Sequence, residues 1–531
     1  MDCCQVTDAC SSIIYLISRL YFFVVTVIFY VVNIFKTKHV VPPTSDDLLL
    51  ISATEAVKRI ARREITSEAL VRAYIHRIEQ VNDVINAAVV RLFDEATRKA
   101  LEIDREIAQM DSERLEERIQ SEPLLGVPFT VKDALEVDGQ IITCGVYNHR
   151  ENKCTQSAEV IKRMEAAGAI LIAITNVPEA CYWVESSNGI YGLSKNPYDT
   201  RRSVGGSSGG EGALISAAGS LIGIGSDIGG SIRIPSFMNG IFGMKPTSGV
   251  IPLDGHVPMP KEFQIQMLRI GPMCRYVEDV PLLMEVMGGE RAVDLHLKEM
   301  VDFKKVRFFY MEGIQHTPKT QSLSSEMRCT LLKAVSYFEQ KFDVEGIRLD
   351  LPLASNAIEM LFSCIQAENT PTISESFKSL KGDRGSLKWM TELPKLLAGK
   401  SVHTPGALFL SFFENMDRSS EKEKAKFRRL RDRLARQVTE TLGDDGVLLF
   451  PSWPTTAPYH HQTVFTPFNT AYTGLFNALT LPVITCPMGL DRNGLPLGLQ
   501  IVGARNSDRL LIAAAQQLSQ AFGGWTPAWS Q

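Results

Sequence analysis

The chain has 531 residues, 45% hydrophobic and 22% charged, the balance of a globular protein with a large core. A net charge of −4 without any long basic block argues against binding nucleic acid through a cationic surface. Ten cysteines are spread thinly with no Cys-x-x-Cys pair, so metal and thioredoxin-like readings lose their usual support, and most read as small buried hydrophobes in a reducing compartment.

Residues 12–35 form an apolar, aromatic-rich run with a single charge, Arg19. At about 1.5 Å per residue this is long enough to cross a hydrocarbon core of roughly 30 Å. A cleaved signal peptide has a shorter apolar region, with basic residues before it and small ones after. Here Asp2 and Asp8 precede the run and Lys36, Lys38 and His39 follow it, so it reads as an uncleaved, single-pass anchor occupying residues 1–40. The positive flank places the remaining chain on the cytoplasmic side. An intracellular membrane is the expected location, the endoplasmic reticulum or a lipid droplet. Cys3, Cys4 and Cys10 sit beside the anchor, where cysteines can be acylated, although free thiols are the simpler reading.

Val41-Pro42-Pro43 and Ser45-Asp46-Asp47 read as a short linker. Ser52 and Glu55 have the spacing of a capping box opening a helix, and a second helix follows with Leu70, Tyr74, Ile78 and Val81 on one stripe. From Asp94 to Glu122 the pattern stays helical but is highly charged, as expected of a solvated outer face. The texture then becomes α/β. Val127 to Val131 is a β-like run ending at Lys132, Ser157 to Ala167 reads as helix, and Ile170 to Thr175 as a continuous apolar strand. Leu221 to Gly225, Val306 to Tyr310, Val447 to Phe450 and Leu481 to Thr485 are further buried-strand candidates. Such runs separated by helices predict a large mixed, twisted sheet covered by helices on both faces, within one domain spanning residues 41–531.

The most unusual stretch is Gly205-Gly206-Ser207-Ser208-Gly209-Gly210-Glu211-Gly212, followed by Gly225-Ser226-Asp227-Ile228-Gly229-Gly230-Ser231-Ile232-Arg233-Ile234-Pro235. Glycine lets backbone approach a ligand closely, so paired loops of this kind suggest that backbone itself takes part in chemistry; the bland reading is a pair of flexible turns. No lysine follows either cluster as a Walker loop requires, and the polar segment before Ser207 does not suit a dinucleotide fold. Gly205 to Gly209 does satisfy the G-x-S-x-G pattern of a nucleophile elbow, with His460 or His461 available downstream. That reading needs a buried strand directly before Ser207, and the sequence supplies none.

The Gly126-Val127-Pro128-Phe129-Thr130-Val131-Lys132-Asp133 segment, the Gly-Gly-Ser-Ser-Gly-Gly loop and the Asp227-to-Pro235 run together resemble the amidase signature family. The 75 residues from Lys132 to Ser207 and the 24 from Ser207 to Ser231 are similar to the spacing of its eukaryotic fatty acid amide hydrolase branch. The likeness continues through Gly243 to Thr247, Gly271 to Arg275 and Gly494 to Gln500, and so covers nearly the whole chain after the anchor.

The resemblance implies that Ser231 is the nucleophile, Ser207 a bridging serine held by a cis Gly206–Ser207 peptide, and Lys132 the base. It also implies that the N–H groups of Ile228, Gly229, Gly230 and Ser231 form an oxyanion hole, and that Cys181 meets substrate through its backbone. Ser208 is read as a local partner, and Asp227 and Arg233 as residues that hold the loop. None of the nine histidines is needed, and His460-His461 reads as a solvated pair. The implied substrates are lipid amides, namely primary fatty amides and N-acylethanolamines, cleaved without metal or cofactor at a membrane. Self-association of the chain is left open. A glutamine- or small-amide-hydrolysing relative and an esterase using Ser207 remain the alternatives. Pro405 to Phe413 is a second apolar run, too short to span a bilayer, that suits an interfacial cap, an acyl-channel wall or a core segment.

Overall fold

The continuous apolar runs become strands in the computed structural model, which describes residues 3–151, 153–315, 317–366 and 370–530, with side chains from residue 13 onward. The strands are β1 (Ala88–Arg91), β2 (Pro128–Lys132), β3 (Ile170–Thr175), β4 (Ser187–Asn188), β5 (Gly192–Leu193), β6 (Ile222–Asp227), β7 (Phe242–Lys245), β8 (Arg269–Cys274), β9 (Arg307–Tyr310), β10 (Gly346–Arg348), β11 (Gly446–Phe450), β12 (Val483–Leu490) and β13 (Pro496–Gly503). β4 and β5 pair by themselves, and the other strands form one 11-stranded sheet in the order β1-β3-β2-β6-β8-β7-β12-β13-β11-β9-β10. The ladder is mixed. β3, β2 and β6 run parallel, the steps from β6 through β8, β7, β12, β13 and β11 are antiparallel, and β11, β9 and β10 are again parallel.

Successive side chains on a strand point to opposite faces, and here the two faces bury into different cores. Val447 and Leu449 of β11 join Leu331, Phe338, Leu511 and Leu518 in one cluster, whereas Leu448 and Phe450 join Leu434, Val438, Leu475 and Phe476 in another. The first set of partners lies on helices Ser325–Phe342 and Asp508–Phe522, and the second on Glu421–Leu442 and Ala471–Ala478. Helices therefore cover both faces, as the alternation of apolar runs and helices predicts.

Local signals are realised with small departures. Ser52 accepts the Glu55 N–H at 3.1 Å and caps helix Ala53–Ala61, but the Glu55 carboxylate turns to Arg59, so only half of the capping box forms. The next helix, Ser67–Ile85, buries Leu70, Tyr74, Ile78 and Val81. The charged stretch after it becomes helices Phe93–Ala108 and Ser112–Ser121, which bury Ala96, Ala100, Ile107 and Leu115.

The N-terminal helix runs Cys3–Ile34, and its Ile13–Ile34 portion, mean hydropathy 2.0, is long and apolar enough to cross a membrane. Most of that portion is uncovered by the protein, the condition a bilayer would relieve. It touches the body through Tyr21, whose hydroxyl donates to the Phe465 carbonyl at 3.0 Å, and Ser18, which donates to Pro318. The side chains of Cys3, Cys4 and Cys10 lie outside the described residues.

Candidate active site

β2 and β6 are parallel neighbours, with Val131 beside Ile224, so Lys132 and Asp227 emerge together at their carboxyl ends. Binding crevices in open α/β sheets form outside such ends. Lys132 is 1% exposed, and its Nζ lies 2.6 Å from Ser207 Oγ, 3.0 Å from Ser226 Oγ and 3.3 Å from the Ser226 carbonyl oxygen. Among the described residues no carboxylate forms an ion pair with it. Burial pushes its amine down from the ordinary lysine value of 10.5, because a charge in low dielectric loses its solvation. Glu211, in the helix Gly209–Ser216 that follows Ser207, is itself pushed up to about 8 by burial.

Ser207 follows a cis peptide from Gly206, as the family resemblance implies. Gly206 has no room for a side chain: a Cβ there would stand 2.5 Å from the Trp183 carbonyl oxygen and 2.9 Å from the Glu185 nitrogen. Ser208 ties the two glycine-rich loops together. Its N–H donates to the Ser231 carbonyl at 3.1 Å, and its hydroxyl accepts the Ser226 N–H at 3.3 Å. Ser231 is therefore held to the Lys132–Ser207 pair through backbone. Among the described residues no hydrogen bond joins the Ser207 and Ser231 hydroxyls.

Asp227 and Arg233 form a buried frame for the loop that carries Ser231. The Arg233 guanidinium meets Asp227 in two bonds of 3.0 and 3.1 Å and also donates to the Thr473 carbonyl and to Gln500, both at 3.0 Å. Burial opposes ionisation of Asp227, but the Arg233 charge and its hydrogen bonds outweigh burial and hold the carboxyl below the usual range. Asp227 also accepts the Gly230 N–H at 2.8 Å. Of the four expected oxyanion donors, Gly230 is thus committed to the frame. At φ +127°, with a Cβ that would fall 2.1 Å from Thr473 Oγ1, it is a position only glycine fits. Ile228, Gly229 and Ser231 do line the cavity, and among the described residues their N–H groups have no acceptor.

That cavity is narrow: about 90 Å³ of it is open to the centre of a water-sized sphere. Ser231, Gly206 and Cys181 line it, and Ile365, Phe409, Phe413 and Phe468 contribute an apolar wall. Cys181 lies on that wall at φ +59°, and its own N–H is used by the Pro178 carbonyl at 3.0 Å. The Pro405-to-Phe413 run is the start of helix Pro405–Met416. Its Phe409, Leu410 and Phe413 line the cavity, whereas Phe412 and Met416 are exposed on the other side.

The histidine reading changes as well. His461 is exposed, but the pair is not merely solvated: His460 Nδ1 lies 2.9 Å and His461 Nδ1 3.4 Å from the carboxylate of Glu185, which is 2% exposed. The elbow reading also fails, because residues 204–208 form no strand and the partner of Ser207 is Lys132 rather than a histidine. The structure adds two residues to the site, Ser226 and His256, whose Nε2 lies 2.9 Å from Ser226 Oγ. Ser226 stands inside the second glycine-serine loop, and position alone could have flagged it. His256 carries no local signal.

Residues 69–512 match the family described as Amidase. Fatty-acid amide hydrolase 2 of Homo sapiens is 40% identical over 487 residues, 91% of each chain, and fatty-acid amide hydrolase 2-A of Danio rerio is 42% identical over 495 residues, again 91% of each. A solved structure titled fatty acid amide hydrolase superposes with a TM-score of 0.73 at 24% identity, covering 92% of this chain and 87% of that one, a likeness of fold. The buried lysine, the cis-linked serine and the glycine-rich serine loop thus sit in a fold and a sequence that agree on their lineage: the chain belongs to the amidase signature family.

Proposed function

We propose that this chain is a membrane-anchored serine hydrolase that cleaves fatty acid amides, primary fatty amides and N-acylethanolamines, to free fatty acid and amine. The carrying observation is a carboxylate-free buried lysine, 2.6 Å from the Ser207 hydroxyl, beside an apolar cavity that Gly206 and Ser231 line. Two relatives of about 40% identity named fatty-acid amide hydrolase 2 support the substrate class. In this reading residues 1–40 are the anchor and residues 41–531 the catalytic domain.

Ser231 Oγ attacks the amide carbon. Its proton passes to Ser207, which gives its own to the neutral Lys132 amine, since a hydroxyl both donates and accepts. The Ser231–Ser207 bond closes as the substrate carbonyl seats, because catalytic hydrogen bonds tighten in the reacting complex. The N–H groups of Ile228, Gly229 and Ser231 receive the oxyanion; one such donor is worth about 100- to 1,000-fold in rate. Run backwards, the relay protonates the amine nitrogen, the C–N bond breaks, and an acyl-Ser231 ester remains. Water, deprotonated through the same relay, then releases the fatty acid.

The apolar wall of Ile365, Phe409 and Phe413 takes the acyl chain. Each buried methylene contributes ~0.8 kcal/mol, so kcat/KM should rise up to about fourfold per added carbon until the cavity is full. A small-amide or glutamine-hydrolysing enzyme would need polar groups on that wall. Next to it, helices Trp389–Leu397 and Pro405–Met416 expose Met390, Leu393, Leu397, Phe412 and Met416, a surface suited to the lipid boundary from which such substrates come. With Lys36 and Lys38 after the span, the body lies on the cytoplasmic side of an intracellular membrane, the endoplasmic reticulum or a lipid droplet. Hydrolysis of oleoyl, arachidonoyl and short-chain amides by the purified full chain tests the substrate class. Preference for short polar amides would overturn it.

A further inference from the structure

The partners around Lys132 fix where its lone pair points. His256 is buried, and its ring nitrogens meet different atoms: Nδ1 lies 2.9 Å from the Pro258 carbonyl oxygen and Nε2 2.9 Å from Ser226 Oγ. A carbonyl only accepts, so the hydrogen-bond partners assign the ring proton to Nδ1. Burial pushes the ring down to about 4, so the imidazole is neutral near pH 7 and Nε2 is an acceptor.

The Ser226 hydroxyl must then donate to Nε2, which leaves its oxygen to accept from Lys132 Nζ at 3.0 Å. The Ser226 carbonyl, 3.3 Å from the same nitrogen, is a second acceptor. A neutral amine has two N–H groups and one lone pair. Ser226 takes both N–H groups, and the lone pair is left for the third partner, Ser207 Oγ at 2.6 Å. Backbone holds this arrangement in register: the Val257 N–H donates at 2.9 Å to the carbonyl of Ala134, two residues beyond Lys132.

We propose that His256, acting through Ser226, is a positioning residue that keeps the Lys132 lone pair on Ser207. Remove the imidazole and the Ser226 hydroxyl can rotate to donate its own proton to that lone pair, occupying the base. His256 lies off the cavity wall, so its part is separate from substrate binding. This inference rests on the reading of Lys132 as the base, and the test separates the two.

Turnover of an oleoyl amide and the rate of Ser231 labelling by a fluorophosphonate are measured for His256→Phe, His256→Gln, His256→Leu and Lys132→Met, and for His256→Phe combined with Lys132→Met. His256→Phe should lower kcat about 10- to 100-fold with KM unchanged, the scale on which misorientation acts. His256→Gln, whose amide oxygen accepts from Ser226, should recover most of that loss. In the Lys132→Met background His256→Phe should have no further effect on labelling, because the lone pair it aims is gone. An equal loss in both backgrounds, or a loss confined to KM, overturns the proposal. If His256→Phe does not fold, His256→Leu, which also removes the acceptor and keeps the Ser226 hydroxyl, carries the same comparison with Lys132→Met, with the same two outcomes. Full activity in Lys132→Met alone would overturn the base reading itself.

Discussion

Lys132 and Arg233 are both buried basic side chains flanking the loop that carries Ser231, and their surroundings are opposite. Arg233 faces a carboxylate in two bonds and spends its other donors on Thr473, Gln500 and Asn477. Lys132 faces a hydroxyl pair and a carbonyl. A buried cation with a carboxylate keeps its charge and locks structure, whereas one surrounded by neutral oxygens is driven to give its proton up. In the proposed mechanism the same loop is thus framed by a fixed charge on one side and served by a neutral base on the other.

Replacing Lys132 with methionine should reduce amide turnover near neutral pH by about 100- to 10,000-fold, the range for loss of a general base, while the melting temperature holds or rises. Steady-state kinetics with thermal unfolding checks both halves of that expectation. Arg233→Met strands Asp227 as an uncompensated buried charge and should cost about 3–5 kcal/mol of stability, read from denaturant unfolding. A stable Arg233→Met protein would mean the frame is not held by charge.

Ser226→Asp converts the first environment into the second. A carboxylate at that distance raises a lysine by about 1–3 pH units, so about 10- to 1,000-fold less neutral amine is present at a given pH, and the acid limb of kcat should move upward by the same amount. An unmoved acid limb would show that the lysine is not titrating there.

The smallest effect lies at Glu185, where burial opposes ionisation but bonds from His460 and His461 hold the carboxyl at about 2. Bonding to Glu185 raises His461, against the opposing effect of burial. The lowered carboxyl contributes stability that is present above its ordinary value of 4.5 and is lost as pH falls toward about 2. The raised imidazole contributes stability that is present below 6.5 and is lost as pH rises through its folded value. The melting-temperature difference between the native chain and Glu185→Gln should therefore be widest between pH 4.5 and 6.5. A flat difference would place the clamp outside the stability of the fold.

Legibility in the sequence followed the range of the interaction. Runs such as Ile170 to Thr175 announce buried strands because every residue is apolar. β7 and β8, which complete the middle of the sheet, do not, since Gly243, Gly271 and Pro272 interrupt them. The Ser52 cap is written within four residues, while the partner of His460 is not, because Glu185 lies 275 residues away. The serine loops were visible as composition and the family resemblance supplied their roles. Lys132 acquires meaning only when β2 pairs with β6, and His256 only when Ser226 stands beside it. Gly230 shows the converse: the family resemblance implied an oxyanion donor, and the carboxylate three residues earlier takes its N–H for the frame.

The most direct test of the unpaired lysine is the pH dependence of fluorophosphonate labelling, with the labelled residue identified by peptide mass. The account predicts that the label sits on Ser231, that its rate falls as pH drops through the lowered lysine value, and that Lys132→Met both slows it and abolishes that limb. Labelling of Ser207, or a Lys132→Met protein that labels at the native rate with the native pH profile, would contradict it.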